Sequence, residues 1–266
     1  MPEHTQIGLK MYEYKLFGND PRSVSREISG IFETILPQLV PVTVAHLNRF
    51  SYKVPNCVSV PIELVKKSTL QRSMLFELAV VTSKEKLKKA NIDVNWDECL
   101  SKAIKEQRKY YDAQIPFKLA EIDKEIALKV SDNLLLILDS LKVSTIGKPN
   151  DIQWDPKIPG YRWIANGEGD FSIGDTIIEV KCTNKHFSSA DYRQIVMYWL
   201  LSYISSIERE TIEWTNGILV NPRLNYINKF SFNEILKLIS ADRSKIDLVE
   251  AFKALVLERR TSEQDF

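Results

Sequence analysis

Residues 169 to 181 read GDFSIGDTIIEVK, a pattern that predicts a β-hairpin. Apolar and β-branched residues lie on both sides of the Gly174-Asp175 pair, which is a short-range signal for a two-residue turn. That turn places Asp170 directly opposite Glu179, with their Cβ atoms about 4.5–5.5 Å apart. Two like charges in opposed positions destabilise a sheet unless a third group compensates them. A divalent cation would do so, and the hairpin therefore predicts a metal site better than a purely structural turn.

A lysine and a second glutamate belong to the same predicted face. Side chains alternate along a strand, so Glu179 and Lys181 point to one side of the sheet. The same register puts Glu168 opposite Lys181, which makes Glu168 a rival metal ligand. Without metal, we expect Lys181 to be the salt-bridge partner of the acids. Asp175 is expected to be a turn residue only, because it lies at the hairpin tip.

The composition is that of an ordinary globular protein. Of 266 residues, 44% are hydrophobic and 27% are charged, and the formal net charge is +1. This charge excludes a polycation, so affinity for nucleic acid must come from a local patch. No apolar run is long enough to span a bilayer, and the N-terminus lacks a signal-peptide layout. Three widely spaced cysteines indicate neither a disulfide framework nor a zinc cluster, so we expect a cytoplasmic protein without membrane contacts.

Hydrophobic periodicity predicts an α/β protein, in which helices flank a mixed β-sheet. We expect an N-terminal accessory region at residues 1–65, whose role is not readable, and one domain at residues 66–266. The predicted helices are Ser23 to Leu36, Ser68 to Ala90, Trp96 to Tyr111, a long helix after Pro116, Ala190 to Ile204, Asn233 to Ser240 and Leu248 to Glu258. The predicted strands are Tyr161 to Ala165, the two hairpin strands, Thr215 to Val220 and Asn228 to Phe232, with short strands between Pro41 and Pro61.

Three features together resemble the PD-(D/E)xK nuclease superfamily, to which many restriction endonucleases and the RecB-type and lambda-exonuclease-type enzymes belong. They are Asp170, then the triplet Glu179-Val180-Lys181, then Gln194 and Tyr198 in the following helix. Gln194 and Tyr198 are four residues apart and share a helix face, as in the RecB-type branch. The resemblance covers residues 68 to 232 and implies a restriction-endonuclease-like fold.

The resemblance also implies hydrolysis of phosphodiester bonds with Mg²⁺, for which Mn²⁺ substitutes. It implies that Asp170 and Glu179 are the metal ligands, with the Val180 carbonyl as a third. Lys181 would position or help deprotonate the attacking water, or stabilise the developing negative charge. These residue types suit the reaction, because Mg²⁺ prefers carboxylate oxygens and the transition state needs its charge neutralised. Gly169 stands where the motif has a proline.

Other elements add residues to the predicted site. The resemblance suggests Glu77 as a metal ligand or a water-bridged group, whereas the alternative is a boundary glutamate paired with a base such as Arg72. Gln194 is expected to bond a phosphate or the metal-bound water, although its helix could serve only for core packing. The predicted nucleic-acid contacts are Arg193, Tyr198 and Arg223.

The sequence therefore predicts a Mg²⁺-dependent deoxyribonuclease, a hydrolase with a natural place in restriction, anti-phage defence or recombination. The alternative is a nucleic-acid-binding subunit with the nuclease fold that is silent until a partner ATPase, helicase or effector activates it. A third alternative is a structural α/β interaction protein whose hairpin acids are incidental. The sequence leaves open DNA against RNA, endonuclease against exonuclease, and a homodimer against a monomer.

Overall fold

A computed structural model describes residues 19–88, 93–109, 112–143, 151–209 and 211–264. The helices in these ranges are α1 Pro21–Glu27, α2 Ile31–Ile35, α3 Pro41–Asn48, α4 Ile62–Val65, α5 Arg72–Lys88, α6 Trp96–Gln107, α7 Glu121–Val143, α8 Ser189–Arg209, α9 Phe232–Ile239 and α10 Lys245–Gln264. The strands are β1 Ile152–Trp154, β2 Lys157–Ile158, β3 Gly167–Glu168, β4 Phe171–Ile173, β5 Thr176–Val180, β6 Asn216–Asn221 and β7 Tyr226–Ser231. In the described ranges, none of the helices is both long enough and apolar enough to pass through a bilayer.

Five of the strands form one mixed sheet in the order β1-β4-β5-β6-β7. Strands β5 and β6 run parallel because α8 carries the chain back across one face, and the other neighbours are antiparallel. Strands β2 and β3 pair separately. The prediction of an α/β protein with a mixed sheet between helices is confirmed.

The predicted hairpin is present with the predicted register. Strands β4 and β5 pair with Phe171 opposite Ile178, and the turn lies at Gly174 and Asp175. Gly174 has a φ of 56°, a conformation that a residue without Cβ adopts at little cost. Asp175 is the turn residue that we predicted.

The two faces of the sheet are covered by different helices. Ile178 packs with α7 residues such as Leu134 in one buried cluster. Ile177 lies on the opposite face and packs in the cluster that contains Trp199 of α8. Because side chains alternate along β5, Glu179 lies on the same face as Ile177 and therefore faces α8. The fold thus directs this carboxylate at the helix that carries Gln194.

Two predicted strands are wrong. Tyr161 to Ala165 form a turn closed by a bridge between Tyr161 and Ile164, with Arg162 at a φ of 57°. The edge of the sheet is β1 instead. In the Pro41 to Pro61 region the chain forms α3, since a proline suits the first turn of a helix. Extended pairing there is limited to one bridge, between Tyr52 and Ile227.

Helices are present where the sequence predicts them, but some of them begin or end at other residues. The helix predicted from Ser23 to Leu36 is two helices, α1 and α2, because Gly30 has a φ of 95° and breaks it. The predicted ends at Ala90 and Tyr111 lie outside the described residues.

The described part of residues 1–65 packs on the same core as the rest of the chain. Val24 and Phe32, on α1 and α2, belong to the buried cluster that contains Trp199. Val60 and Val65 belong to the cluster formed by α5, α6 and α7. These contacts make the segment part of the core, and its proposed accessory role stays a prediction.

Asn133 holds α7 to two loops, and its loss should destabilise the protein. Its Nδ2 donates to the carbonyl oxygens of Val58, at 2.8 Å, and Pro222, at 2.9 Å, and its Oδ1 accepts from the Val58 N–H at 3.2 Å. Asn133→Leu would leave these buried groups unpaired, so we expect a loss of about 2–3 kcal/mol in the free energy of unfolding by urea. Asp132→Asn, which changes the neighbouring exposed residue, is the control and should cost far less.

Candidate active site

A cleft of about 900 Å³ is lined by three of the four predicted catalytic residues, Asp170, Glu179 and Gln194. Its walls come from α1, α5 and the hairpin of β4 and β5, and α8 contributes Gln194 and Tyr198. Asp170, Glu179 and Glu77 line the same cleft. We call it the acidic cleft. Residues far apart in the sequence are thus brought to one surface, as the predicted site requires.

Glu179 and Lys181 form a buried ion pair at the end of β5. Lys181 Nζ lies 2.7 Å from Glu179 Oε1, and the two residues are 8% and 4% exposed. The expectation that the lysine pairs with an acid when no metal is present is confirmed. The second oxygen of Glu179, Oε2, is buried and has no hydrogen-bond partner. An unpartnered buried carboxylate oxygen is costly, so this oxygen is suited to accept a further hydrogen bond or to bind a cation.

Gln194 is the centre of the hydrogen-bond network around this ion pair. Its Oε1 accepts from Lys181 Nζ at 2.8 Å. Its Nε2 donates to Glu179 Oε1 at 2.6 Å and to the Tyr198 hydroxyl at 2.7 Å. Because Gln194 and Tyr198 share a helix face, their side chains can hydrogen-bond to each other. Gln194 is fully buried and orients Lys181 and Glu179, whereas we had expected it to contact a phosphate or water.

Asp170 approaches Glu179 from the neighbouring strand. Its Oδ2 accepts from the Val180 N–H at 2.7 Å, which fixes the carboxylate next to the end of β5. The β4–β5 register, extended by one residue, places Asp170 opposite Glu179. Burial, and then the charge of Asp170, raise the pKa of Glu179. The two residues are therefore close enough for the charge of Asp170 to disfavour the ionised form of Glu179.

Glu77 adds a third carboxylate from α5. It lines the acidic cleft, and burial together with the charge of Asp170 raises its pKa to about 7. The alternative was a boundary glutamate paired with a base such as Arg72. No ion pair of Glu77 is seen among the described residues, although the charges of Lys84 and Arg22 lower its pKa. The carboxylates of the cleft thus repel one another, and a bound cation would relieve that repulsion.

This repulsion predicts a pH dependence of stability. Because the pKa of Glu77 is raised in the folded state, the folded protein binds more protons than the unfolded chain between pH 4.5 and about 7. Stability in EDTA should therefore fall as the pH rises through this window. Glu77→Gln should remove part of that fall. The difference in the free energy of unfolding between the variant and wild type should be about 1 kcal/mol more favourable to the variant at pH 8 than at pH 5.

The measurement is urea unfolding of both proteins in EDTA at pH 5 and pH 8. Glu121→Gln is the control, because the Glu121 side chain is 88% exposed and pairs with Lys124 of the same helix. Equal pH dependence of wild-type and Glu77→Gln protein would show that ionisation of Glu77 does not destabilise the fold.

Lys84 is a residue of the site that the sequence reasoning missed. It lies seven residues after Glu77 on α5, lines the acidic cleft and donates to Asp155 Oδ1 at 2.6 Å. Burial alone would lower its pKa, but the charge of Asp170 and the hydrogen bond to Asp155 raise it. The spacing from Glu77, two helical turns, was a signal that could have found it.

The acidic cleft carries more negative than positive groups. Among its described lining residues nine are acidic and four are basic. The basic ones are Arg22, Lys84, Lys109 and Lys157. A polyanion would be repelled by this surface unless cations were bound to it.

Three other predicted residues have neighbours that we did not predict, although one of them, Glu168, still lines the acidic cleft. Glu168 does not face Lys181: it is paired with Lys157 across β2 and β3, because the chain bends between β3 and β4. Arg193 forms an ion pair with Glu33 at 2.8 Å. Arg223 is 3% exposed and does not line the acidic cleft. The phosphate contacts predicted for these two arginines stay predictions.

The donor set of the cleft fits a hard cation. Among the described residues, no group of three or more His, Cys, Asp and Glu side chains is placed to hold a metal ion. Mg²⁺ does not need such a group, because it keeps several waters and binds through one or two carboxylates. Asp170 and the unpartnered Glu179 Oε2 supply two such carboxylates, with Glu77 near them. The Val180 carbonyl as a further ligand stays a prediction.

Comparison of the chain with protein-family models, with curated proteins and with solved structures gives no match. The relation to the PD-(D/E)xK nucleases therefore stays a resemblance, which rests on the residues of the hairpin and α8.

Proposed function

We propose that this protein is a Mg²⁺-dependent nuclease with a restriction-endonuclease-like fold that hydrolyses phosphodiester bonds in DNA. The observation that carries the proposal is the buried, unpartnered Oε2 of Glu179 beside Asp170, in a cleft with a lysine fixed next to them. A divalent cation fits this arrangement of carboxylates, and hydrolysis of a phosphodiester is a reaction that such a cation supports. The setting that we propose is cytoplasmic, in restriction, anti-phage defence or recombination.

The negative charge of the acidic cleft favours a substrate contact that is made through a bound metal ion. With nine acidic and four basic side chains among the described residues that line it, the cleft disfavours a phosphate group. A bound Mg²⁺ would neutralise charge on the phosphate and lower the pKa of a coordinated water. Asp170 and Glu179 are the residues that would hold the ion, and Glu77 would support them directly or through water.

Lys181 is the residue that we propose acts on the substrate. Its ammonium has three N–H donors, and Glu179 Oε1 and Gln194 Oε1 accept two of them, at 2.7 and 2.8 Å. The third is left for a phosphate oxygen or for the attacking water. Two fixed bonds hold the charge in place before the substrate arrives, which is the preorganisation that electrostatic catalysis requires.

The experiment is a cleavage assay of the purified chain on linear, circular and single-stranded DNA and on RNA. We expect cleavage of DNA in MgCl₂ or MnCl₂ and none in EDTA. Cut circular DNA would identify an endonuclease. No cleavage of any substrate, together with no heat of Mn²⁺ binding by calorimetry, would contradict the proposal and favour a structural protein.

The same experiment tests the alternative of a silent subunit. Binding of Mn²⁺ and DNA without cleavage would favour a nuclease fold that a partner ATPase or effector must activate. The intact set of Asp170, Glu179 and Lys181 argues against a permanently inactive enzyme but not against a silent one, because buried groups with a raised pKa are typical of active sites.

A further inference from the structure

We propose that Arg26, on α1, is a positioning residue for Lys181 and acts through the side-chain amide of Gln194. This inference rests on the proposed nuclease function. Arg26 belongs to the N-terminal segment for which the sequence predicted only an accessory role. Its Nη1 lies 2.9 Å from Asp191 Oδ1 and 3.3 Å from Gln194 Oε1. A residue 168 positions away in the sequence thus contacts the centre of the candidate site.

Arg26 completes the hydrogen bonds of Gln194. A glutamine side chain offers two N–H donors and two acceptor lone pairs. Glu179 and Tyr198 take the two donors, and Lys181 and Arg26 take the two lone pairs. Two cations on one side and a carboxylate on the other fix which way the amide points, because a flipped amide would put its N–H groups against both cations. The amide oxygen that holds Lys181 is therefore held in turn by Arg26.

Arg26 also removes a competing acceptor. Asp191 is 3% exposed, and Ser188 donates to its Oδ2 from both N–H, at 2.8 Å, and Oγ, at 2.7 Å. Arg26 occupies the other oxygen, Oδ1. Burial raises the pKa of Asp191, but the nearby charge of Lys181 and these hydrogen bonds lower it. Without Arg26, Asp191 Oδ1 would be a free buried acceptor within the electrostatic reach of Lys181 and would draw the ammonium away from Glu179.

Helix α1 holds Arg26 in place beside Asp191 and Gln194. The helix packs against α8, and its residues Pro21, Arg22 and Ser23 line the acidic cleft. Asp20 caps its N-terminus by accepting from the Arg22 and Ser23 N–H groups, at 3.0 and 3.2 Å. The Arg26 side chain is 32% exposed. Its helix is held by packing against α8 and by the Asp20 cap.

The test is a double-mutant cycle in cleavage of linear duplex DNA with MgCl₂. Arg26→Met should lower kcat roughly 10- to 100-fold with KM unchanged, since it disturbs the supporting contacts of the site rather than substrate binding. In a Gln194→Met background the same substitution should cause no further loss, because the amide that transmits its effect is gone. Arg26→Lys should recover part of the rate, since it restores a cation beside Asp191 and Gln194.

Arg243→Met is the matched control, because the Arg243 side chain donates to the Thr34 carbonyl, at 3.0 Å, and does not line the acidic cleft. It should cleave at the wild-type rate, and thermal melts should show all variants folded at the assay temperature. If Arg26→Met does not fold, the cycle is repeated with Arg26→Gln, which keeps a hydrogen-bond donor for Asp191.

Two results separate this inference from the nuclease proposal. If the loss of rate in the double variant equals the product of the two single losses, Arg26 does not act through Gln194 and the positioning role is wrong. The same holds if Gln194→Met alone is fully active. Neither result contradicts the nuclease proposal. If wild-type protein and Glu179→Gln protein are equally inactive in Mg²⁺, the nuclease proposal fails, and this inference fails with it.

Discussion

Lys181→Met protein is expected to cleave DNA roughly 10³-fold more slowly than wild-type protein in saturating Mg²⁺. The substitution removes the one cation that Glu179 and Gln194 both hold, at 2.7 and 2.8 Å. It keeps much of the volume of the side chain, so the strand and its neighbours should stay packed. The measurement is a single-turnover rate with enzyme in excess.

The control for Lys181→Met is Lys229→Met, which changes an exposed lysine on β7 of the same sheet. Loss of Lys181 leaves Glu179 buried without its counter-ion, and this destabilises the fold. The double variant Lys181→Met/Glu179→Gln removes both charges and should melt higher than Lys181→Met alone. Wild-type cleavage by Lys181→Met would remove this residue from the mechanism.

Asp170→Asn protein should lose cleavage on the order of 10³-fold and should bind Mn²⁺ much more weakly. The asparagine oxygen can still accept from the Val180 N–H, so the hydrogen bond at 2.7 Å is kept while the charge is removed. The expected loss therefore reports the charge and not a disturbed hairpin. Calorimetry with Mn²⁺ and the cleavage assay measure the two effects on the same protein.

Asp175→Asn is the control for Asp170→Asn, because it makes the same change at the tip of the same hairpin. The Asp175 side chain accepts from Thr215 Oγ1, which an asparagine oxygen can also do. We expect normal cleavage and normal Mn²⁺ binding by this protein. Equal activity of the Asp170→Asn and wild-type proteins would reject the assignment of Asp170.

The hairpin and its acids could be predicted because every interaction involved is local. The Gly174-Asp175 turn fixes the register, and strand alternation then places Glu179 and Lys181 on one face. Helical spacing does the same for Gln194 and Tyr198. The Glu168 prediction failed because it extended the register beyond Asp170. In the structure the Gly169 N–H instead donates to Pro156, and β3 pairs with β2.

The remaining parts of the site depend on long-range packing that a sequence pattern does not record. Lys84 reaches the cleft because α5 packs beside the hairpin, and its partner Asp155 is 71 residues away. Arg26 reaches it because α1 packs against α8. The Arg26 contact has no spacing in the sequence that would reveal it. The spacing of Lys84 from Glu77 indicates a shared helix face but not that α5 packs beside the hairpin. The edge strand β1 was missed for a similar reason, since three residues are too few to show alternation.

The most direct test of the central claim is a crystal of the protein soaked with Mn²⁺ and examined for anomalous density. We predict one strong peak in contact with Glu179 Oε2 and the Asp170 carboxylate, with Lys181 still beside Glu179. A protein that shows no peak there, or that binds the ion only elsewhere, would contradict the account.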